Sequence, residues 1–241
     1  MKNKILVLGH NGMLGHMVAK YLTDKGLEVQ TATSRWPDSS EEIVDFDGSY
    51  IINCIGAIPQ KNNNSYDINW HLPIWLDLNA PCSVIHPGTD CEMDIDEYGI
   101  SKNVAGFYIK HLSTRTKSIK SSIIGPEIKG KNSLLEWFLR QDEHVFGYTG
   151  AIWNGNTTLE WAKQCLMMIR KWDEYEEETI IHSDPVSKYE LLNIFKSIFD
   201  KDIIIEPKNL GKDKRLSGSI RTKNIADQMV ELKEYYYKEK K

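Results

Sequence analysis

Tyr98 and Lys102 stand four residues apart in the run Tyr98-Gly99-Ile100-Ser101-Lys102, shortly after Pro87-Gly88-Thr89-Asp90-Cys91. On a helix this spacing puts the phenol and the ammonium on one face, where their heads can converge. A ketone reduced by hydride leaves an alkoxide that must be protonated. A tyrosine can give that proton. Its ordinary pKa is about 10, and a nearby ammonium lowers it, which makes the group a usable base in the reverse direction. Thr89 can hold the carbonyl oxygen beside the Tyr98 hydroxyl. The competing reading is an exposed helix pair with a core tyrosine.

Such chemistry needs a hydride donor, and the first strand offers a place for one. Lys4 to Gly15 reads KILVLGHNGMLG, an aliphatic run followed by Gly9, Gly12 and Gly15. A strand, a glycine turn and a helix N-terminus let a backbone approach a pyrophosphate and point free N–H groups at it. The Gly-x-x-Gly-x-x-Gly spacing makes Gly9, Asn11, Gly12, Met13, Leu14 and Gly15 candidate cofactor residues. The end of the second strand selects between nicotinamide cofactors. Thr31-Ala32-Thr33-Ser34-Arg35 has no acid for ribose hydroxyls, whereas Arg35 and Ser34 suit a 2′-phosphate. The expected cofactor is NADPH.

The elements that must hold these groups alternate. Strand-like runs cover Ile5 to Leu8, Leu27 to Thr33, Ser49 to Gly56, Cys82 to His86 and Ile119 to Ile124, with a further short strand expected over Glu42 to Asp45. Helical spacing covers Asn11 to Lys25, Tyr66 to Asn79 and Asp96 to Ser113. Pro73 interrupts the second of these and moves its expected start toward Leu72. This alternation predicts an α/β fold, a Rossmann-type doubly wound parallel sheet. After Gly125 the pattern loosens. Helices are expected over Asn132 to Arg140, Thr157 to Lys171, Ser187 to Phe199 and Thr222 to Tyr236, and strands over Val145 to Tyr148, Thr179 to His182 and Ile203 to Glu206. Residues 1–125 with about 151–182 are read as the NADP-binding domain. About 126–150 and 183–241 are read as a small substrate-binding lobe.

Composition narrows the partners. The chain has 241 residues and a net charge of −4, so a broad nucleic-acid footprint is not expected. No apolar run approaches membrane-spanning length, and the Met1-Lys-Asn-Lys start carries no cleavage signal, which reads as cytoplasmic. The four cysteines form no C-x-x-C pair and the seven histidines no ligand spacing, so no metal is expected. Gly125 to Asn132 imitates a phosphate loop, but Asn132 stands where Ser or Thr would hold magnesium, and Glu127 would repel phosphate.

Taken together, the glycine turn, the strand Ile51-Ile52-Asn53-Cys54-Ile55-Gly56, the Thr89-Asp90-Cys91 segment and Tyr98 with Lys102 resemble the extended short-chain dehydrogenase/reductases. The branch they resemble is the dTDP-4-dehydrorhamnose reductase family. Gly147-Tyr148-Thr149, Ile152-Trp153-Asn154-Gly155 and Thr157-Thr158-Leu159 also look like that branch. The resemblance runs from about Lys4 to Ala162. It implies reduction at C4 of a UDP- or dTDP-linked 4-keto-6-deoxyhexose, with Thr89, Tyr98 and Lys102 in the family's catalytic roles. It implies that Asn53, Cys54 and Gly56 line the cofactor, that Asp45 and Phe46 lie near the adenine, and that Asn69 backs the site. Trp153, Asn154, Lys131 and Arg215 become candidate substrate contacts, and a homodimer is compatible with the reading.

In bifunctional 3,5-epimerase/4-reductases a cysteine two residues past the Ser/Thr is an acid/base, which makes Cys91 a candidate for a second activity. Its partner would come from Glu127, Lys129, Lys131 or His144. One departure stands out: the family has a much longer loop between the Thr and the Tyr. Here Glu92 to Glu97 remain, six residues that still span ~20 Å. The alternatives are a non-catalytic NADP-binding regulatory subunit and a reductase of a small non-sugar ketone.

Overall fold

The computed structural model describes residues 4–61 and 65–237. Thirteen strands and eight α-helices follow one another in this part of the chain. They begin β1 (Lys4–Leu8), α1 (Met13–Asp24), β2 (Glu28–Thr31), α2 (Ser40–Val44), β3 (Tyr50–Asn53), α3 (Ile68–Asn79), β4 (Ser83–Gly88), α4 (Glu97–Leu112) and β5 (Thr116–Lys120). Then come β6 (Ile123–Ile124), α5 (Leu134–Leu139), β7 (Glu143–Tyr148), β8 (Ile152–Trp153), β9 (Asn156–Thr157) and α6 (Thr158–Arg170). The series closes with β10 (Glu178–His182), β11 (Val186–Ser187), α7 (Lys188–Phe199), β12 (Ile203–Lys208), β13 (Ile220–Arg221) and α8 (Ile225–Leu232).

Seven strands form one sheet in the order β13-β10-β5-β4-β3-β1-β2, and every pair in it is parallel. Helices cover both faces, which explains why β1 is a continuous apolar run rather than an alternating one. Ile5 and Val7 enter the core cluster that holds Met17 of α1, Trp161 of α6 and Met229 of α8. Leu6 and Leu8 point the other way, into a cluster with Ile43 of α2 and Leu72 and Leu76 of α3. The strand order reverses between β1 and β3. Ligands of open α/β sheets lie at the carboxyl ends of the strands at such a reversal.

A smaller pairing lies beyond the sheet. β7 and β12 run parallel, Glu143 opposite Ile203 through Tyr148 opposite Lys208. Leu191, Leu192 and Phe195 of α7 and Phe138 of α5 continue the first cluster toward it. Segment 209–219 carries no regular structure and returns the chain to the sheet edge, where β13 pairs with β10.

Four local expectations are corrected. Residues 42–45 do not form a strand. Ser40–Val44 is a helix, with Glu41 and Glu42 in its first turn where the dipole favours acids, so Tyr50–Asn53 is the third strand and not the fourth. Pro73 does not delay α3, which starts at Ile68 and runs through the proline. The last helix is Ile225–Leu232, continued by a π-helical turn over Lys233–Tyr237. The strand β13 was not foreseen, because two paired residues are too short to show a period. Among the described residues, no helix is long and apolar enough to cross a membrane.

Candidate active site

The glycine turn sits at the strand-order reversal. Gly9 takes φ of +74°, a left-handed conformation that suits glycine. A Cβ on Gly9 would come within 2.8 Å of the Cys54 carbonyl oxygen at the end of β3. A Cβ on Gly15 would collide with the Gly9 backbone, so the third glycine lets α1 press against the turn. Gly12 caps α1 in an extended conformation with no side-chain cap, and the first turn holds no acid. These free N–H groups and the positive helix end fit a pyrophosphate. Leu14 is buried, Met13 half-buried and Asn11 exposed, its amide 2.9 Å from the His10 ring.

Ser34 and Arg35 are exposed in the loop after β2, and no side-chain partner of Arg35 occurs among the described residues. Glu42 reaches the same place, its carboxylate accepting the Thr33 N–H at 3.0 Å and hydroxyl at 2.9 Å. Asp45 is exposed at the end of α2, whereas Phe46 is 6% exposed and belongs to the second core cluster. Asn53 is fully buried. Its oxygen accepts the Ile55 N–H at 3.0 Å and its amide lies 3.1 Å from the His86 ring, which burial keeps neutral. Asn69 clamps the loop after β3. It accepts the Ala57 N–H at 2.8 Å, with Gly56 packed closely beside it, and donates at 3.0 Å to Ser101, whose hydroxyl donates to the Tyr98 carbonyl at 2.7 Å.

Thr89 follows β4, and its side chain caps the 3₁₀ turn Asp90–Met93 by accepting the Cys91 N–H. The short loop is therefore ordered by its own caps. Asp96 continues the device by accepting the Gly99 N–H at 2.7 Å to start α4. The Thr89 hydroxyl donates to the Asp90 carboxylate at 3.0 Å, and the Tyr98 ring stands edge-on to Tyr66 with 5.6 Å between centres. Burial raises the Tyr98 pKa, the acidic groups Cys91, Asp90 and Glu92 raise it further, and the nearby Thr89 hydroxyl opposes them. The expected lowering is thus overturned. Lys102 is 8% exposed and donates to the Pro87 carbonyl at 3.4 Å, with its own pKa lowered by burial.

Cys91 opens onto a cavity of about 750 Å³ that Trp153, Lys188, Lys212, Lys214 and His144 also line. Burial pushes its thiol up to about 11 although the Lys214 ammonium is 3.7 Å away. Lys214 also pairs with Asp94 at 2.5 Å, pinning segment 209–219 to the turn after Thr89. Lys188 lies over the Trp153 ring, 4.7 Å from its centre, and burial pushes the amine down to about 8.

Of the four expected partners for Cys91, His144 alone lines this cavity. Its ring is 3.0 Å from Glu206. Glu127 is occupied by the Asn132 and Ser133 N–H groups, and Lys129 and Lys131 are exposed beside it. Asn154 grips Leu216, donating to its carbonyl at 2.8 Å and accepting its N–H at 2.9 Å. Arg215 forks onto Asp213 at the rim of a second, polar cavity of about 810 Å³.

Sequence reasoning missed Glu42, Lys188 and Glu92. Only Glu92 left a local signal, the Thr89-x-x-Glu92 capping-box spacing.

No family model and no curated protein matches the sequence. Solved structures do match. A dTDP-4-dehydrorhamnose reductase from Clostridium acetobutylicum is 17% identical over 97% of this chain and 99% of its own, with a TM-score of 0.79. The same enzyme from Bacillus anthracis, in complex with NADP, is 14% identical over 99% of this chain and 100% of its own, at 0.78. A UDP-glucose 4-epimerase from Thermotoga maritima, with UDP-glucose, is 15% identical over 99% of this chain and 100% of its own, at 0.70.

The chain has the fold of these nucleotide-sugar enzymes. The parallel sheet and its doubly wound helices are shared architecture.

Proposed function

We propose that the protein is an NADPH-dependent reductase of the C4 ketone of a nucleotide-linked 4-keto-6-deoxyhexose. The observation that carries this reading is the convergence at the end of β4. Thr89 caps the turn that leads from β4 into the helix carrying Tyr98, Lys102 of that helix is buried and donates to the Pro87 carbonyl of β4, and Cys91 opens onto a cavity lined by three lysines. When bound, the cofactor supplies the hydride. Gly9, Gly12 and Gly15 would receive its pyrophosphate, and Arg35 would meet a 2′-phosphate.

Thr89 orients the ketone oxygen. Tyr98, its pKa raised, stays protonated at neutral pH and is suited to give its proton to the forming alkoxide. Lys188, Lys212 and Lys214 offer cations to a sugar diphosphate, and Trp153 an aromatic wall. The protonated Cys91 thiol suits a proton donor better than a base, which favours plain reduction over epimerisation. The exposed stripe Ile100, Val104 and Phe107 on α4 supports a homodimer, which sedimentation velocity reads directly.

The test is incubation with NADPH or NADH and UDP- or dTDP-4-keto-6-deoxyglucose, followed by cofactor absorbance and product NMR. NADPH oxidation that falls by about 10²–10⁴ in Tyr98→Phe is expected. No oxidation with any such sugar sinks the reading and leaves a regulatory subunit. Solvent deuterium at C3 or C5, lost in Cys91→Ser, would establish epimerisation.

A further inference from the structure

The Thr89 turn encloses a carboxylate that the reduction itself does not use. Glu92 is 5% exposed. One oxygen accepts the Thr89 backbone N–H at 2.8 Å, and the other pairs with Lys120 of β5 at 2.6 Å. Lys120 pairs onward with Glu178 of β10 at 3.1 Å, and Glu178 with Lys110 of α4 at 3.0 Å. Charges therefore alternate from the catalytic turn through two sheet strands and back to the catalytic helix. Two glycines make room for the carboxylate. A Cβ on Gly88 would lie 2.9 Å from one of its oxygens, and a Cβ on Gly106 would lie 2.6 Å from the other.

A buried ion pair is weak evidence for stability, because desolvation offsets the attraction. Apolar packing could hold the turn equally well. What a carboxylate adds is an acceptor for Thr89 and a negative charge at this depth. Gly106, against which the carboxylate lies, is one turn beyond Lys102 on the same face of α4, and Lys102 bonds Pro87 two residues before the Thr89 N–H that the carboxylate holds. At this range the charge favours the protonated form of Lys102 and of Tyr98, with Cys91 acting in the same direction on both and Asp90 on Tyr98. Lys102 needs such a neighbour. Its one side-chain hydrogen bond among the described residues is to the Pro87 carbonyl, and burial favours the neutral amine.

We propose that Glu92 is the positioning residue of this site, fixing Thr89 through one oxygen and serving as the counter-charge of Lys102. The inference rests on the reductase reading. Glu92 touches neither substrate nor cofactor. It acts through Thr89 and Lys102.

Two variants separate its two tasks. Glu92→Gln keeps an acceptor for Thr89 and removes the charge. Glu92→Asp keeps the charge and withdraws the oxygens by one methylene. In Glu92→Gln the alkaline limb of the kcat profile should move about one pH unit lower. In Glu92→Asp the limb should stay and kcat should fall about tenfold.

A readout without turnover is the ¹³Cε NMR titration of Lys102 in the cofactor-free protein, its signal assigned by Lys102→Met. The midpoint should fall by about one unit in Glu92→Gln. An unmoved limb and midpoint would overturn the counter-charge role, and an unchanged kcat in Glu92→Asp would overturn the positioning role. If Glu92→Gln does not fold, Glu92→Asp decides the positioning role and Glu92→Ala the counter-charge role, the Lys102 midpoint falling likewise if the role holds and staying unmoved if it does not. A wild-type protein that oxidises no NADPH refutes the reductase reading, while the NMR midpoint still reports on Glu92.

Discussion

Two helix starts serve the candidate site in opposite ways. α1 begins at Gly12 with no side-chain cap and no acid in its first turn. α7 begins with a complete capping box, in which Ser187 accepts the Glu190 N–H at 3.1 Å and Glu190 accepts the Ser187 N–H at 2.6 Å. The first residue of α7 is then Lys188, whose ammonium lines the cavity beside Cys91. α1 leaves its first backbone donors without a side-chain cap, whereas α7 satisfies its own and presents a side chain. The first kind of cradle has a fixed dipole that pH does not switch off. The second is titratable, because burial brings Lys188 down to about 8.

The largest expected effect breaks the open cradle. Gly15→Val should weaken NADPH binding more than a hundredfold and destabilise the fold by about 1–3 kcal/mol, as read by fluorescence titration and thermal melts. Gly12→Asp converts α1 into a capped helix like α7. The unliganded protein should gain up to about 1 kcal/mol from the cap, while NADPH affinity falls at least about tenfold because a carboxylate takes the phosphate's place. Unchanged affinity would show that this helix start is not where the cofactor binds.

The titratable cradle predicts a pH signature. Lys188 has a folded-state pKa of about 8 against an ordinary 10.5. Between these values the unfolded chain holds a proton that the folded chain lacks, so stability rises with pH through that window. Below pH 8 the whole cost of the buried ammonium is present. Lys188→Met should therefore raise Tm at pH 7, and its advantage should fade as pH climbs from 8 to 10.5, in a series of melts. The smallest effect is Ser187→Ala, about 1 kcal/mol of lost stability with NADPH affinity unchanged.

The sequence made the local devices readable. The glycine turn and the Thr89, Tyr98 and Lys102 set are short patterns whose spacing is itself the geometry. What it hid depends on distant contacts. Lys214 meets Cys91 across 123 positions, so no spacing rule could pair them. Asn154 had the composition of a ligand contact, yet its carboxamide holds Leu216, 62 residues on. Glu42 sat in a stretch read as a strand, and the helix that replaces the strand is what turns its carboxylate toward Thr33. The spacing put Tyr98 and Lys102 on one helix, but it did not give the direction of the Tyr98 pKa. Burial and the surrounding acids are properties of the folded turn, not of the four-residue step.

The edge strand β13 carries a consequence for how the chain comes together. Ile220 and Arg221 finish a sheet whose other strands were laid down before residue 183. Just beyond them, Gln228 accepts the Thr157 N–H at 2.9 Å and donates to Asn156 at 3.0 Å, closing the corner where α6 begins. During synthesis the free side of β10 waits for a segment that emerges some forty residues later. The first three quarters of the protein thus leave the ribosome with an unpaired strand edge, which is a template for mispairing. Its final closure is a long-range event of the kind that slows folding.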